Sequence, residues 1–217
     1  MAISYLDQAE EYIYELLPNP HSRLDELEKL EKKRSDICPS IGRITGQLLT
    51  ILLKMQGAKK VLECGTCQGI STIWLATACK EIGAKLVAIE ASERLFIETK
   101  ANLETTGLSS YVDLRLGKAE EVICQLEPGF DLILQDAAKG MYLESLDNLV
   151  GLLRVGGVLV SDDVLFPIKD KVRKAQKNLL DAYNAAVFAR TDLDNVILPV
   201  RDGLLISYKK IGVEDID

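Results

Sequence analysis

The sequence is poor in the residues that build zinc centres: it has one histidine, His21, in 217 residues, and five cysteines, Cys38, Cys64, Cys67, Cys79 and Cys124. Cys64 and Cys67 form a C-x-x-C, but no second pair and no neighbouring histidine completes a zinc site. An odd number of cysteines without a secretory leader argues against a disulfide framework. Basic excess is also missing: the formal net charge is −7, which disfavours non-specific binding to a phosphate backbone. Residues Met1 to Leu16 lack the basic region and apolar run of a signal peptide, carrying Asp7, Glu10, Glu11 and Glu15 instead. No uncharged stretch approaches the ~20 apolar residues of a transmembrane helix. These absences predict a cytoplasmic protein without membrane attachment. Repeats, low-complexity tracts and Ser/Gly/Pro-rich linkers are lacking too, so the whole chain, 1–217, reads as one domain.

What is present is a core: hydrophobic residues make up 47% and charged residues 27% of a 24.0 kDa chain. From Ala2 to about Met55 the periodicity is helical, with Tyr5, Ala9, Tyr12, Leu16 and Leu17 at three- and four-residue spacing. Asn19-Pro20 breaks it before a charged helix from Ser22 to about Arg34. Cys38-Pro39-Ser40 precedes a third helix, with Ser40 the predicted N-cap and Leu48, Leu49, Leu52 and Leu53 on the buried side. Residues 1–57 therefore read as a helical cover and 58–217 as the core.

In the core, short apolar runs alternate with amphipathic helices, the rhythm of a parallel sheet with helices on both faces. The runs are Val61–Cys64, Leu86–Glu90, Val112–Leu116, Asp131–Gln135 and Gly157–Ser161. A long helix from about Ile168 to Phe188 then leads to strands at Asn195–Pro199 and Leu204–Tyr208, joined by a tight Asp202-Gly203 turn. The prediction is a Rossmann-like, mostly parallel seven-stranded α/β sheet.

Ligands of such folds bind at the carboxyl ends of the strands. The first strand runs into Glu63-Cys64-Gly65-Thr66-Cys67-Gln68-Gly69-Ile70-Ser71, a glycine turn feeding a helix start. The second ends at Glu90, suited to accept hydrogen bonds from both hydroxyls of a ribose, and the third near Gly117-Lys118-Ala119-Glu120. Cys67 stands where a dinucleotide fingerprint has its second glycine, which disfavours a nicotinamide cofactor and fits one without pyrophosphate. The fourth strand ends in Asp136-Ala137-Ala138-Lys139-Gly140-Met141-Tyr142 and the fifth in Ser161-Asp162-Asp163. Three converging carboxylates would repel and protonate unless a hard cation such as Mg²⁺ held them. The competing reading makes Asp162 and Asp163 caps, and Asp136–Lys139 a surface pair.

These motifs resemble the cation-dependent O-methyltransferases of the catechol and caffeoyl-CoA type, which are class I methyltransferases with bacterial members. The likeness runs from the helical cover through Val61-Leu62-Glu63-Cys64-Gly65 and Phe130 to Lys139, and on to Pro199-Val200-Arg201-Asp202-Gly203-Leu204. It implies an enzyme that transfers a methyl group from S-adenosylmethionine to a hydroxyl of a catechol-like small molecule. It makes Glu63, Gly65, Gly69 and Ser71 the methionine end of the cofactor site, Glu90 the ribose ligand, and Ala119 and Glu120 the adenine contacts. It makes Asp136, Asp162 and Asp163 the metal ligands, with Asp136 also beside the cofactor, Lys139 the general base and Tyr142 part of the wall. Three departures stand out: Asp163 replaces the usual asparagine, Cys67 and Ile70 make the pocket less aromatic, and the stretch after Phe166 is short, implying an open acceptor site.

The same strings also resemble bacterial enzymes that methylate 5-hydroxyuridine at the tRNA wobble position, and Lys169, Lys171, Arg173, Lys174 and Lys177 offer a basic face for RNA. Net acidity favours the small molecule. A binding protein that kept the fold and lost catalysis is disfavoured by the joint presence of the three aspartates and Lys139. The apolar face of the first helix predicts a homodimer.

Overall fold

The computed structural model of the chain describes residues 5–211. Three helices open it: α1 (Tyr5–Leu16), α2 (Ser22–Glu31) and α3 (Gly42–Gln56). The predicted start at Ala2 lies outside the described residues. The single histidine is spent on structure, since His21 caps α2 by accepting the Arg23 amide on Nδ1 at 3.0 Å. α2 stops at Glu31 rather than Arg34, whose guanidinium instead pairs with Asp36 and Glu98. Ser40 is not the cap of α3. Ile41 precedes that helix without any side-chain cap, and Gly42, at φ +71°, packs so closely on Arg201 that a Cβ would lie 2.6 Å from its guanidinium. A tertiary contact thus places the helix start. Leu49 and Leu53 are fully buried, while Leu48 and Leu52 flank them at the margin of the core.

Arg43 stitches the cover together. Its guanidinium is nearly buried, contacts Asp25, lies 3.0 Å from Glu28 and stacks 4.2 Å above the Tyr14 ring. Removing the cation would leave the part-buried Glu28 facing Asp25 without a counter-charge and lose the stacking. Arg43→Met is expected to lower stability by about 2 kcal/mol in urea unfolding; a change under about 0.5 kcal/mol would assign the network no net role.

The sheet comprises β1 (Lys60–Cys64), β2 (Lys85–Glu90), β3 (Val112–Leu116), β4 (Phe130–Gln135), β5 (Leu153–Ser161), β6 (Leu193–Leu198) and β7 (Leu204–Lys209). Their order is β3-β2-β1-β4-β5-β7-β6, parallel throughout except for β7, which runs antiparallel to both neighbours. Each predicted run lies in an observed strand, apart from Pro199, which falls beyond β6. β5 starts earlier, at Leu153, because its first residue pairs with Phe130 before a register shift. Helices α4 (Ile70–Ile82) and α5 (Glu93–Thr106) pack on one face with the cover. The short α6 (Ala119–Val122), α7 (Tyr142–Leu152) and α8 (Lys174–Ala189) cover the other, giving two apolar clusters separated by the sheet. β4 is buried at every position, as a central parallel strand with both faces covered must be.

Two boundaries differ from prediction. α8 begins at Lys174, not Ile168: Phe166–Ile168 close a separate 3₁₀ turn on Pro167, and Lys169 is drawn into an ion pair with Asp202. The β6–β7 connection centres on Arg201-Asp202, with the Gly203 amide donating to the Val200 carbonyl at 2.9 Å. Gly203 follows that turn at φ +91°, where a Cβ would lie 2.3 Å from Leu165. No helix among the described residues is long and apolar enough to cross a membrane.

Candidate functional site

Strand order reverses between β1 and β4, so a crevice opens at their carboxyl ends. The β1 turn is built for close approach. Gly65, at φ +92°, donates its amide to the Ile89 carbonyl at 2.9 Å, and Gly69, at φ +90°, starts α4. Between them Cys67 holds φ +50°, a left-handed conformation that a side chain resists. Glu90, at the end of β2, offsets that cost. Its Oε2 accepts the Thr66 and Cys67 amides at 3.2 and 2.9 Å, and its Oε1 accepts the Ser92 amide at 2.8 Å. One carboxylate thus ties the glycine turn to the next strand end.

Beneath this turn lies Glu63, fully buried, with neither carboxylate oxygen hydrogen-bonded among the described residues. Burial pushes its pKa up to about 8, with Asp136 and Glu90 adding repulsion and the nearby Ser71 and Thr72 hydroxyls only partly opposing it. A carboxyl whose native pKa exceeds its ordinary value binds more protons folded than unfolded. Stability is therefore expected to fall as pH rises from about 4.5 through about 8. In urea unfolding across that window Glu63→Gln should flatten the slope; an unchanged slope would assign the pH dependence elsewhere.

The acidic cluster forms where β4 and β5 end. Asp136, Asp162 and Asp163 each offer a carboxylate oxygen, and these oxygens lie within 4.8 Å of one another. The main chain holds them there: the Asp136 amide donates to the Cys64 carbonyl at 2.9 Å, and the Asp162 amide to the Gln135 carbonyl at 3.2 Å. Asp163 adopts φ +63°, a conformation that short polar side chains such as Asp and Asn tolerate. Neither Asp162 nor Asp163 caps the elements that follow, and the Asp136–Lys139 ion pair of the competing reading is present, but part-buried and shared with Asp163. Lys139 Nζ sits 2.7 Å from Asp136, 2.9 Å from Asp163 and 2.9 Å from the Tyr142 hydroxyl, and only 12% of the lysine side chain is exposed.

Burial and like charge push Asp162 up to about 7, and burial raises Asp136 against the pull of Lys139. Burial alone would lower the Lys139 pKa, but Asp136, Tyr142 and Asp163 outweigh it and hold the ammonium form well above its ordinary range.

A cleft of about 1060 Å³ joins the turn to the cluster, room enough for a drug-sized ligand. Gly65, Ser71, Glu90, Ala119, Asp136, Lys139, Asp162 and Asp163 all line it. Glu63, Gly69 and Glu120 do not: Glu63 is fully buried near the end of β1, Gly69 closes the turn as the residue before α4, and Glu120 sits on α6 beside Ala119. Tyr142 is not a wall but a backing: fully buried, its hydroxyl donates to the Gln135 carbonyl at 2.8 Å. Cleft residues for which the sequence suggested no role in the site include Asp36, Cys38 and Ser40 from the cover, and Gln176 and Arg201 from the far rim. Only the Pro39 break hinted at the first group. Burial raises the Cys64 and Cys67 thiols of the C-x-x-C to about 12 and about 11, which disfavours a redox dithiol.

A profile of the O-methyltransferase family matches residues 15–210. The chain is 33% identical over 183 residues to a catechol O-methyltransferase from Niastella koreensis, covering 79% of this chain and 82% of that one. It is 32% identical over 181 residues to tricin synthase 2 from Oryza sativa, covering 76% of this chain but only 62% of that relative's length. Among solved structures, an O-methyltransferase from Bacillus cereus in complex with SAH superposes with a TM-score of 0.82 at 26% identity, over 94% of this chain and 97% of that one.

Proposed function

The chain belongs to the O-methyltransferase family, and from that membership we propose that it transfers the methyl group of S-adenosylmethionine to a hydroxyl of a catechol-like small molecule with the help of a divalent cation such as Mg²⁺. The observation that carries this reading is the aspartate cluster opening into the same cleft as the Gly65–Ser71 turn. Its donors are hard carboxylate oxygens, the set that Mg²⁺ and related cations select, and Asp136, Asp162 and Asp163 would hold the ion. The donor site also fits: Ser71 brings a hydroxyl and Glu90 a carboxylate to the cleft wall beside the Gly65 turn. A bound cation supplies Lewis-acid charge that lowers the pKa of an acceptor hydroxyl.

The protein's own residues supply the rest. Glu90 and the turn orient the methyl donor, and the cleft walls bring the acceptor into line with it. Once the charge of Asp136 and Asp163 is neutralised, the Lys139 ammonium would give up one proton to water in the cleft, and its neutral Nζ would then take the proton of the acceptor hydroxyl.

One feature favours a second acceptor. Lys171 and Arg173 line the cleft mouth, next to Lys174 and Lys177 at the start of α8, where a tRNA backbone carrying 5-hydroxyuridine could lie. We place it second because the chain is acidic, at −7. The deciding experiment measures transfer from labelled S-adenosylmethionine to a catechol panel and to hydroxyuridine tRNA, with Mg²⁺ or chelator. Metal-dependent methylation of a catechol supports the leading reading; methylation of tRNA alone replaces it.

We propose further that the protein is cytoplasmic and a homodimer. Tyr12 and Leu16 on α1 and Met55 on α3 are exposed apolar side chains, at 66%, 67% and 78%, which supports pairing. A monomer mass in light scattering at micromolar concentration would remove the dimer.

A further inference from the structure

The acidic cluster already contains a cation of its own. The Lys139 ammonium bridges Asp136 Oδ1 and Asp163 Oδ2 at 2.7 and 2.9 Å, between two of the three carboxylates that would hold a metal. Its position is fixed from behind. The Tyr142 hydroxyl lies 2.9 Å from Nζ, and its own proton is directed at the Gln135 carbonyl at 2.8 Å and the Asp162 carbonyl at 3.2 Å. That leaves an oxygen lone pair facing the ammonium. The Tyr142 ring is sealed edge-on against Tyr183, whose hydroxyl donates to Gln135 Oε1 at 3.0 Å, so the tyrosine has no room to turn away.

We propose that Lys139 is the resident counter-ion of this cluster, and that a divalent cation binds there by displacing its ammonium from between Asp136 and Asp163. The inference rests on the metal-site reading above and goes beyond it by naming what the ion must replace. Three closely set carboxylates, one buried and two part-buried, would protonate or spread apart without a cation, and the lysine prevents both. Two cations facing the same carboxylates at short range, with little screening water, repel each other. The flexible four-carbon stem of lysine lets the ammonium withdraw, and the cleft that it lines gives it somewhere to go. Loading of the ion and release of the ammonium into the cleft are then one event.

Calorimetric titration of Mn²⁺ into the intact, metal-stripped protein tests this without methyl donor or acceptor, using wild type, Lys139→Met and Lys139→Arg. Lys139→Met is expected to bind Mn²⁺ at least about tenfold more tightly than wild type. It should also melt at a lower temperature without metal, with the gap closing at saturating Mn²⁺. Lys139→Arg, whose planar fork grips two carboxylates more firmly, is expected to bind at least about threefold more weakly. Equal or weaker affinity in Lys139→Met would overturn displacement and leave the metal site standing. Binding by none of the three proteins would overturn both. Should Lys139→Met fail to fold, Lys139→Arg decides: weaker binding supports displacement, and unchanged or tighter binding overturns it.

Discussion

Asp136→Asn is expected to lower kcat/KM for methyl transfer by about 10³-fold, equivalent to ~4 kcal/mol of transition-state stabilisation. The loss is large because one carboxylate serves two purposes. It is a donor of the acidic cluster and the nearest anion to Lys139 Nζ, at 2.7 Å. The asparagine amide keeps the volume and one acceptor oxygen but loses the charge, so the proposed cation site is left with two carboxylates. Cofactor binding should survive, within about threefold by calorimetry with the demethylated product, because Gly65, Ser71 and Glu90 reach the cleft from other elements. That split, transfer lost and cofactor retained, separates a chemical role from a collapsed site. Transfer within tenfold of wild type would show that the cluster does not take part.

The sheet was legible because its signal is physical and local. Parallel strands buried on both faces must be short apolar runs, and the runs ending at Cys64, Glu90, Leu116, Gln135 and Ser161 end where the strands do. The site residues at those ends were legible for the same reason: once the strands were in register, Glu90, Asp136, Asp162 and Asp163 had to fall at one edge. Tertiary contacts were not. Nothing local tells that Arg201 packs on Gly42 and shifts the start of α3, or that Lys169 pairs with Asp202 and delays α8 to Lys174. The inward turn of Tyr142 was hidden for a related reason. An aromatic residue beside a polar motif reads as a wall, and only the buried partners Gln135 and Tyr183 make it a support. The cover residues at the cleft, Asp36 to Ser40, carry no chemistry that a sequence pattern would flag.

The αL turn at Gly65 yields the second large effect. A Cβ built there would lie 2.5 Å from the Asp136 carbonyl oxygen, 2.8 Å from its carbon and 3.0 Å from Ala137 Cα, all backbone atoms of the chain leaving β4. The left-handed φ of +92° adds conformational strain of roughly 1–2 kcal/mol for any side chain. Backbone cannot yield as a side chain tip does, so Gly65→Ala must push the ends of β1 and β4 apart, moving the turn and Asp136 together. We expect a stability loss of about 3 kcal/mol and a fall of about 100-fold in affinity for the demethylated cofactor. Gly69→Ala is the matched comparison. Its φ of +90° carries similar strain, but the nearest obstacle is the Thr99 methyl at 3.1 Å, a side chain that can shift by a few tenths of an ångström. A much smaller loss of affinity is therefore expected at Gly69, under about tenfold, because strain alone remains. Equal losses at both positions would mean that strain rather than the closeness of the two strand ends governs the turn. Retained affinity in Gly65→Ala would remove the turn from the cofactor site.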